Sequence, residues 1–338
     1  MKRWLVTFTL LALLLAPACA RETVTTPQDA EPKSITIYSG RSEELVGPIF
    51  EAFEKKSGID LQVKYGDTAE LASTILEEGE RSPADLFLAQ DAGALGALQK
   101  ERLFAKLPSA ITARVPAKFR SASDNWVGVT GRARVLVYNT ERLKASDMPG
   151  SVLDLTQAKY KGKVGWAPTN GSFQSFVTAL RKVKGQDVAR QWLETMKANG
   201  TKSYEKNSAI VKAVGSGEVD LGLVNHYYLV EIKKEDPSIK AANHFFSGDV
   251  GGLVNVSGAG VLKSSKNKKT ALELLEYLLS DDAQGSFASG EFEYPVVESV
   301  KASAELPPLT TLSQPDIDLS DLDDLKGTLE LLRETDLL

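Results

Sequence analysis

Short apolar runs alternate with longer amphipathic stretches along most of this chain, and that alternation constrains the fold more than any single motif does. Ser34 to Tyr38 reads as a strand. Glu43 to Lys56 carries apolar side chains at 45, 46, 49, 50 and 53, a helical stripe closed by Gly58. Pro48 marks either the first turn of that helix or a kink in it. Ile59 to Tyr65 returns to strand character, Ala69 to Gly79 to helix, and Ala84 to Ala89 to a buried strand. Trp126 to Thr130 and Ala133 to Tyr138 read as extended, and Val164 to Ala167 as a short strand. Helices follow near Ser172 to Val183, Gln186 to Asn199 and Asn207 to Val214. Then come a strand, Val219 to Val224, and a helix, Leu229 to Lys234. A strand-like Leu253 to Leu262, a helix at Thr270 to Leu279 and an amphipathic helix at Leu322 to Leu332 close the chain. Such alternation predicts an α/β fold with largely parallel sheets.

At 338 residues the chain is long enough for two domains. One internal echo supports two similar halves. Ala84-Asp-Leu-Phe-Leu-Ala-Gln90-Asp91 and Val219-Asp-Leu-Gly-Leu-Val-Asn225-His226 are both buried strands ending in polar side chains. Two such ends suit two lobes facing one cleft; chance similarity between apolar runs is the alternative. A formal net charge of -5 without a basic tract argues against nucleic acid as a partner. The acidic stretch Asp316 to Asp324 reads as a solvated surface and a helix N-terminus.

The first 20 residues read as a targeting segment. Lys2 and Arg3 precede an apolar run, Trp4 to Leu15, and then the small residues Ala16-Pro-Ala-Cys-Ala20. The run is short for a membrane span, so the mature protein is expected outside the cytoplasm. Cys19 is the only cysteine, which excludes an intrachain disulfide. Signal peptidase would discard it. A lipobox reading of Ala16-Pro17-Ala18-Cys19 would instead make it the acylated first residue, followed by the polar tether 21–33. The tether tips the balance toward a lipoprotein.

Two adjacent tyrosines carry the functional signal. Tyr227 and Tyr228 follow the strand 219–224 and fall in the turn before the next helix. Strand ends of this kind face the ligand crevice of α/β folds. A phenol has a pKa of about 10 and is neutral in water, but a bound cation can hold it as phenolate. Two hard oxygens on neighbouring residues suit ferric iron. On the pair alone, an aromatic pair packing at a helix start is the plainer reading, because such pairs are common.

Several further segments occur in order: Gly131-Arg-Ala-Arg-Val-Leu-Val-Tyr138, Pro168-Thr-Asn-Gly-Ser-Phe173, Tyr204-Glu-Lys-Asn-Ser208, Val224-Asn-His-Tyr-Tyr228 and Ser257-Gly-Ala-Gly-Val-Leu-Lys-Ser264. With them the chain, from about Ile35 to near Leu332, resembles the ferric-ion-binding substrate-binding proteins of bacterial iron ABC transporters. The resemblance implies a two-lobe periplasmic-binding-protein fold of type II, with two mixed sheets and a hinge of two crossing strands. Residues 34–128 and 258–285 would form one lobe, and 129–257 and 286–338 the other. It implies Tyr227 and Tyr228 as ferric ligands and carbonate or phosphate as a synergistic anion. The anion would lie on the turn Asn170-Gly171-Ser172, where a helix N-terminus favours negative charge, with Asn207 and Asn225 close by. Helix capping or turn bonding is the plainer reading of those two asparagines. It further implies a monomer that works with an ABC permease in the periplasm or on a lipid anchor.

The first lobe departs from the family's pattern. Ser42 stands where many members place a ligating His, Gln90 where a carboxylate is usual, and Phe173 where one subclass has a third Tyr. Asp91, Gln90, Glu43, Glu44 or Tyr65 could substitute, as could water or a chelator. Ser42 is otherwise explained as a helix N-cap. Arg41, Arg132 and Arg134 are candidate anion partners, with one of the last two, Arg132, expected at the cleft. His226 reads as structural, and His244 has no second ligand nearby in sequence. The chain lacks a G-x-S-x-G elbow, a P-loop and a G-x-G-x-x-G turn after a strand, so no enzyme is expected. The runner-up readings are a binding protein for an organic anion, such as a phosphate ester or carboxylate, and one for chelated iron.

Overall fold

The computed structural model describes Met1 and residues 34–338; the targeting segment, the tether and Cys19 lie outside the described residues. The first part of the chain runs β1 (Ser34–Ser39), α1 (Glu43–Ser57), β2 (Asp60–Tyr65), α2 (Thr68–Glu78), β3 (Leu86–Ala89), α3 (Ala92–Lys100) and α4 (Ser109–Thr112). The long strand β4 (Val127–Asn139) follows, then β5 (Val164–Trp166), α5 (Gly171–Lys184), α6 (Gln186–Ala198), β6 (Lys202–Ser203) and α7 (Asn207–Ser216). Next come β7 (Leu221–Asn225), α8 (Tyr227–Glu235), β8 (Ala241–His244) and β9 (Val254–Val261). The chain ends with α9 (Lys268–Leu278), α10 (Asp281–Gly290), β10 (Tyr294–Pro295) and α11 (Leu325–Glu334).

The sheets are mixed, not largely parallel. In the first, β1 pairs in parallel with β2 and β3, while β3 pairs antiparallel with β9. In the second, β7 and β6 flank β5 in parallel, and β4 runs antiparallel to β7 and β8. The two expected segments around 130 are one strand. The N-terminal part of β4 pairs with β9 up to Ala133↔Val254, and its C-terminal part joins β7 from Arg134↔Asn225. β4 therefore passes from one sheet into the other, with β9 beside it. A register shift between Gly128 and Thr130 lies just before the crossing, where an irregular pair lets a strand bend.

Helix starts follow local chemistry. Asp67 caps α2 by accepting from the Ala69 and Glu70 N–H groups. Pro48 lies inside α1, beyond its first turn, and Gly58 ends that helix at φ 74°. Ser42 occupies the α1 N-cap position, but its side chain makes no capping bond. The last helix starts at Leu325, with Asp324 accepting from Gly327 N–H. Among the described residues no helix is long and apolar enough to cross a membrane.

Candidate ferric and anion site

Because α8 starts immediately beyond β7, Tyr227 and Tyr228 form its first turn and do not precede the helix. Their rings lie 4.3 Å apart between centroids, tilted by 33°, and both side chains are half-buried. The Tyr227 phenol is pushed well above its ordinary value by burial and then by Tyr228, against the opposing pull of Arg132. His226, just before the pair, is fully buried. Its Nδ1 accepts from Ala133 N–H at 3.1 Å, so Nε2 carries the proton donated to the Phe292 carbonyl at 2.9 Å. Burial lowers its pKa to about 4. Both ring nitrogens are occupied, and the side chain pins α8 to β4. His244 packs edge-on against Phe246 at 5.0 Å.

Arg132 and Arg134 point to one face of β4, as residues two apart on a strand do. Both are buried and both line the same cleft, so the expectation of a single arginine there is corrected. Arg134 Nη1 donates to Ser172 Oγ at 3.1 Å and to Asn225 Oδ1 at 3.2 Å, while its Nη2 is buried without a hydrogen-bond partner. Burial also lowers its pKa to about 10. Asn170 caps α5: its Oδ1 accepts from the Ser172 N–H at 3.0 Å and from the Ser172 hydroxyl at 2.6 Å. Asn207 donates from Nδ2 to Asn170 Oδ1 and Ser172 Oγ, each at 3.2 Å, and its own Oδ1 is buried and unpaired. Lys206, not Asn207, holds the N-cap position of α7. Asn170, Ser172, Asn207, Asn225 and Arg134 thus form one connected group at the start of α5, with Gly171 as that helix's first residue.

The cleft has a volume of about 700 Å³ and is also lined by Gln90, Asp91 and Asn255. Tyr227 and Tyr228 do not line it; Arg132 and Arg134 do, Arg132 being electrostatically coupled to Tyr227 and Arg134 to both tyrosines. The expected first-lobe substitutes fare differently. Asp91 is the N-cap of α3, accepting from Gly93 N–H at 2.9 Å and Ala94 N–H at 3.4 Å. Gln90 lines the cleft with an exposed side chain. Glu43 lies exposed in the first turn of α1, and Glu43, Glu44 and Tyr65 do not line the cleft. Phe173 is core, with its ring edge-on to Trp166 at 5.6 Å. Among the described residues no group of three or more His, Cys, Asp or Glu could hold a metal ion. A metal here would need the phenols.

The sequence reading missed Glu293 and Tyr294. Glu293 is buried, with Oε1 accepting from Arg41 Nη2 at 2.8 Å and Oε2 from the Thr130 hydroxyl at 2.5 Å. The Tyr294 ring lies 4.7 Å from His226, and its buried hydroxyl has no partner. Neither sits in a recognisable pattern; only the short β10 places them beside β4.

Residues 81–321 match the family described as Bacterial extracellular solute-binding protein. The chain belongs to this family. The solute-binding protein is 34% identical to the Fe(3+)-binding periplasmic protein of Serratia marcescens, covering 90% of this chain and 91% of that one. Among solved structures it is similar to iron-bound HitA from Pseudomonas aeruginosa, with a TM-score of 0.82 and 37% identity over 90% of this chain and 99% of that one. It is also similar to the Trichodesmium protein IdiA (FutA) in complex with iron and citrate, with a TM-score of 0.80 and 31% identity over 90% of this chain and all of that one, 100%. The two-lobe fold of periplasmic binding proteins is therefore this chain's fold.

Proposed function

We propose that this solute-binding protein captures ferric iron outside the cytoplasm and delivers it to an ABC permease. It acts by binding, not catalysis. The observation that carries the reading is the tyrosine pair on the first turn of α8, electrostatically coupled to buried arginines, in a protein whose relatives bind ferric iron. Tyr227 and Tyr228 would bind as phenolates. Carbonate or phosphate would sit on Arg134, Ser172, Asn170, Gly171, Asn207 and Asn225, with Arg132 adding positive charge. The unpaired Arg134 Nη2 supports an anion there, because a buried guanidinium nitrogen without an acceptor is costly. Residues 34–128 and 258–285 would form one lobe and 129–257 and 286–338 the other, closing as a monomer. Cys19 would carry the lipid anchor.

The test is an optical titration of metal-stripped protein with ferric iron, with and without carbonate or phosphate. A phenolate-to-iron charge-transfer band should appear and be lost in Tyr227→Phe, with ferric affinity falling at least about 100-fold, since losing a group that only orients a metal ligand already costs about 10–100-fold. An unchanged band and affinity in that variant would sink the assignment. Chelated iron is the second reading. It is favoured by a cleft far larger than one ion and a small anion, and by the use of Asp91 as a helix cap. Tight binding of ferric citrate but not of ferric iron with carbonate or phosphate would select it.

A further inference from the structure

The segment Glu291-Phe292-Glu293 joins α10 to β10 and bonds to His226, the residue before the tyrosine pair. Phe292 is buried yet has a φ of 53°, a left-handed conformation rare for a bulky side chain. Such a backbone persists only where its surroundings fix it. They do so from two directions. On the α8 side, His226 Nε2 donates to the Phe292 carbonyl, and Lys234 Nζ lies 4.1 Å from the Phe292 ring centroid. On the other side, Glu293 holds Arg41, which follows β1, and Thr130 of the crossing strand. Its carboxylate also lies 3.9 Å from Arg132 Nε, which has no hydrogen-bond partner.

Arg41, Arg132 and Arg134 are all buried, and each is electrostatically coupled to Tyr227 or Tyr228. Glu293 is the one carboxylate that an ion pair ties to any of them among the described residues. Asp91 feels Arg132, and Glu291 feels Arg41, but neither is bonded to either arginine. Three buried cations at this pocket favour a bound anion. The same cations repel a ferric ion.

We propose that Glu293 is a positioning residue that sets the charge balance of this pocket, and so decides how strongly the protein holds ferric iron relative to a free oxyanion. Both of its oxygens are already bonded, so it acts through Arg41 and Arg132 and not as a ligand. The inference rests on the ferric reading for its metal arm alone.

Glu293→Gln keeps the shape and removes the charge. A unit charge beside a partly buried pocket changes affinity by about tenfold or more. Ferric affinity, read from the charge-transfer band, should fall by at least that factor. Binding of inorganic phosphate to the metal-free protein, read by calorimetry, should strengthen by a similar factor. Glu293→Asp, which keeps the charge, should restore both to within about threefold. Arg41→Gln, which removes a cation, should move both affinities in the opposite sense and serves if Glu293→Gln does not fold. A merely structural role would weaken both kinds of binding together; that result, or no change in either, overturns the proposal. If the wild-type protein shows no ferric band, the ferric reading fails, and the phosphate arm alone decides the inference. Stronger phosphate binding in Glu293→Gln supports it, while unchanged or weaker binding overturns it.

Discussion

Asp91 shows how one side chain can satisfy two readings until its hydrogen bonds are known. In sequence it stands beside Gln90, the position where the family resemblance implies a carboxylate. In the fold its Oδ1 accepts two N–H groups at the start of α3. A carboxylate capping a helix contributes about 1 kcal/mol, and removing it costs a similar amount. Asp91→Ala should therefore lower unfolding free energy by about 1 kcal/mol while leaving ferric affinity within about twofold. Chemical denaturation beside an iron titration separates the roles. A large loss of affinity with unchanged stability would return Asp91 to the ligand set. Burial raises the Asp91 pKa despite Arg132 and the two capping bonds, which fits a carboxylate in a confined place.

At the scale of elements, the junction of β7 and α8 is held by His226, and this makes stability depend on pH. The ring must be neutral to accept from Ala133 N–H while donating to Phe292. Its folded pKa is lowered from 6.5 to about 4, so the unfolded chain binds more protons between those values. The contribution is complete above pH 6.5 and is lost as pH falls toward 4. Its size is on the order of 3 kcal/mol. Metal-free protein should lose stability across that window, and His226→Gln should flatten the profile there. An identical slope in the variant would show that other groups titrate. The same junction marks what could be read from the sequence. The strand, the tyrosine pair and the asparagine turn were legible because their chemistry is local. The extent of α8 was not, since two tyrosines after a strand fit a turn equally well. α3 and α10 were hidden by their glycines, which lower helix propensity. The Arg41–Glu293 pair is 252 positions apart, and no periodicity reaches so far.

At the scale of the whole molecule, the glycines that hide α3 are explained by a chain crossing between α3 and α5. β4 and β9 are two connections between the lobes. The segment before α11 touches both α3 and α5 along the cleft, where Leu322, Asp323 and Leu325 line the wall. It is not simply a solvated acidic surface. Its carbonyls press onto α3: a Cβ on Gly93 would lie 2.5 Å from Leu322 O, and one on Gly96 would lie 2.1 Å from Ser320 O. Asp323 then faces Lys100 of α3 at 3.1 Å and Lys182 of α5 at 3.5 Å. Asp324 is fixed to Arg181 of α5 at 2.7 Å. The segment thus touches α3 and α5 within a few residues, so parting those two helices must strain or unseat it. Gly96→Ala tests this with one methyl group. In a free helix that change stabilises by about 0.5–1 kcal/mol. Here the methyl cannot coexist with the seated carbonyl, and overpacking costs about 1–3 kcal/mol. The variant should therefore be less stable than wild type in chemical denaturation, against helix propensity. With the crossing loosened, iron should pass to an external chelator about tenfold faster, which corresponds to a barrier lower by about 1.4 kcal/mol. A variant that is destabilised but releases iron at the wild-type rate would mean that the crossing braces the fold without restraining the lobes.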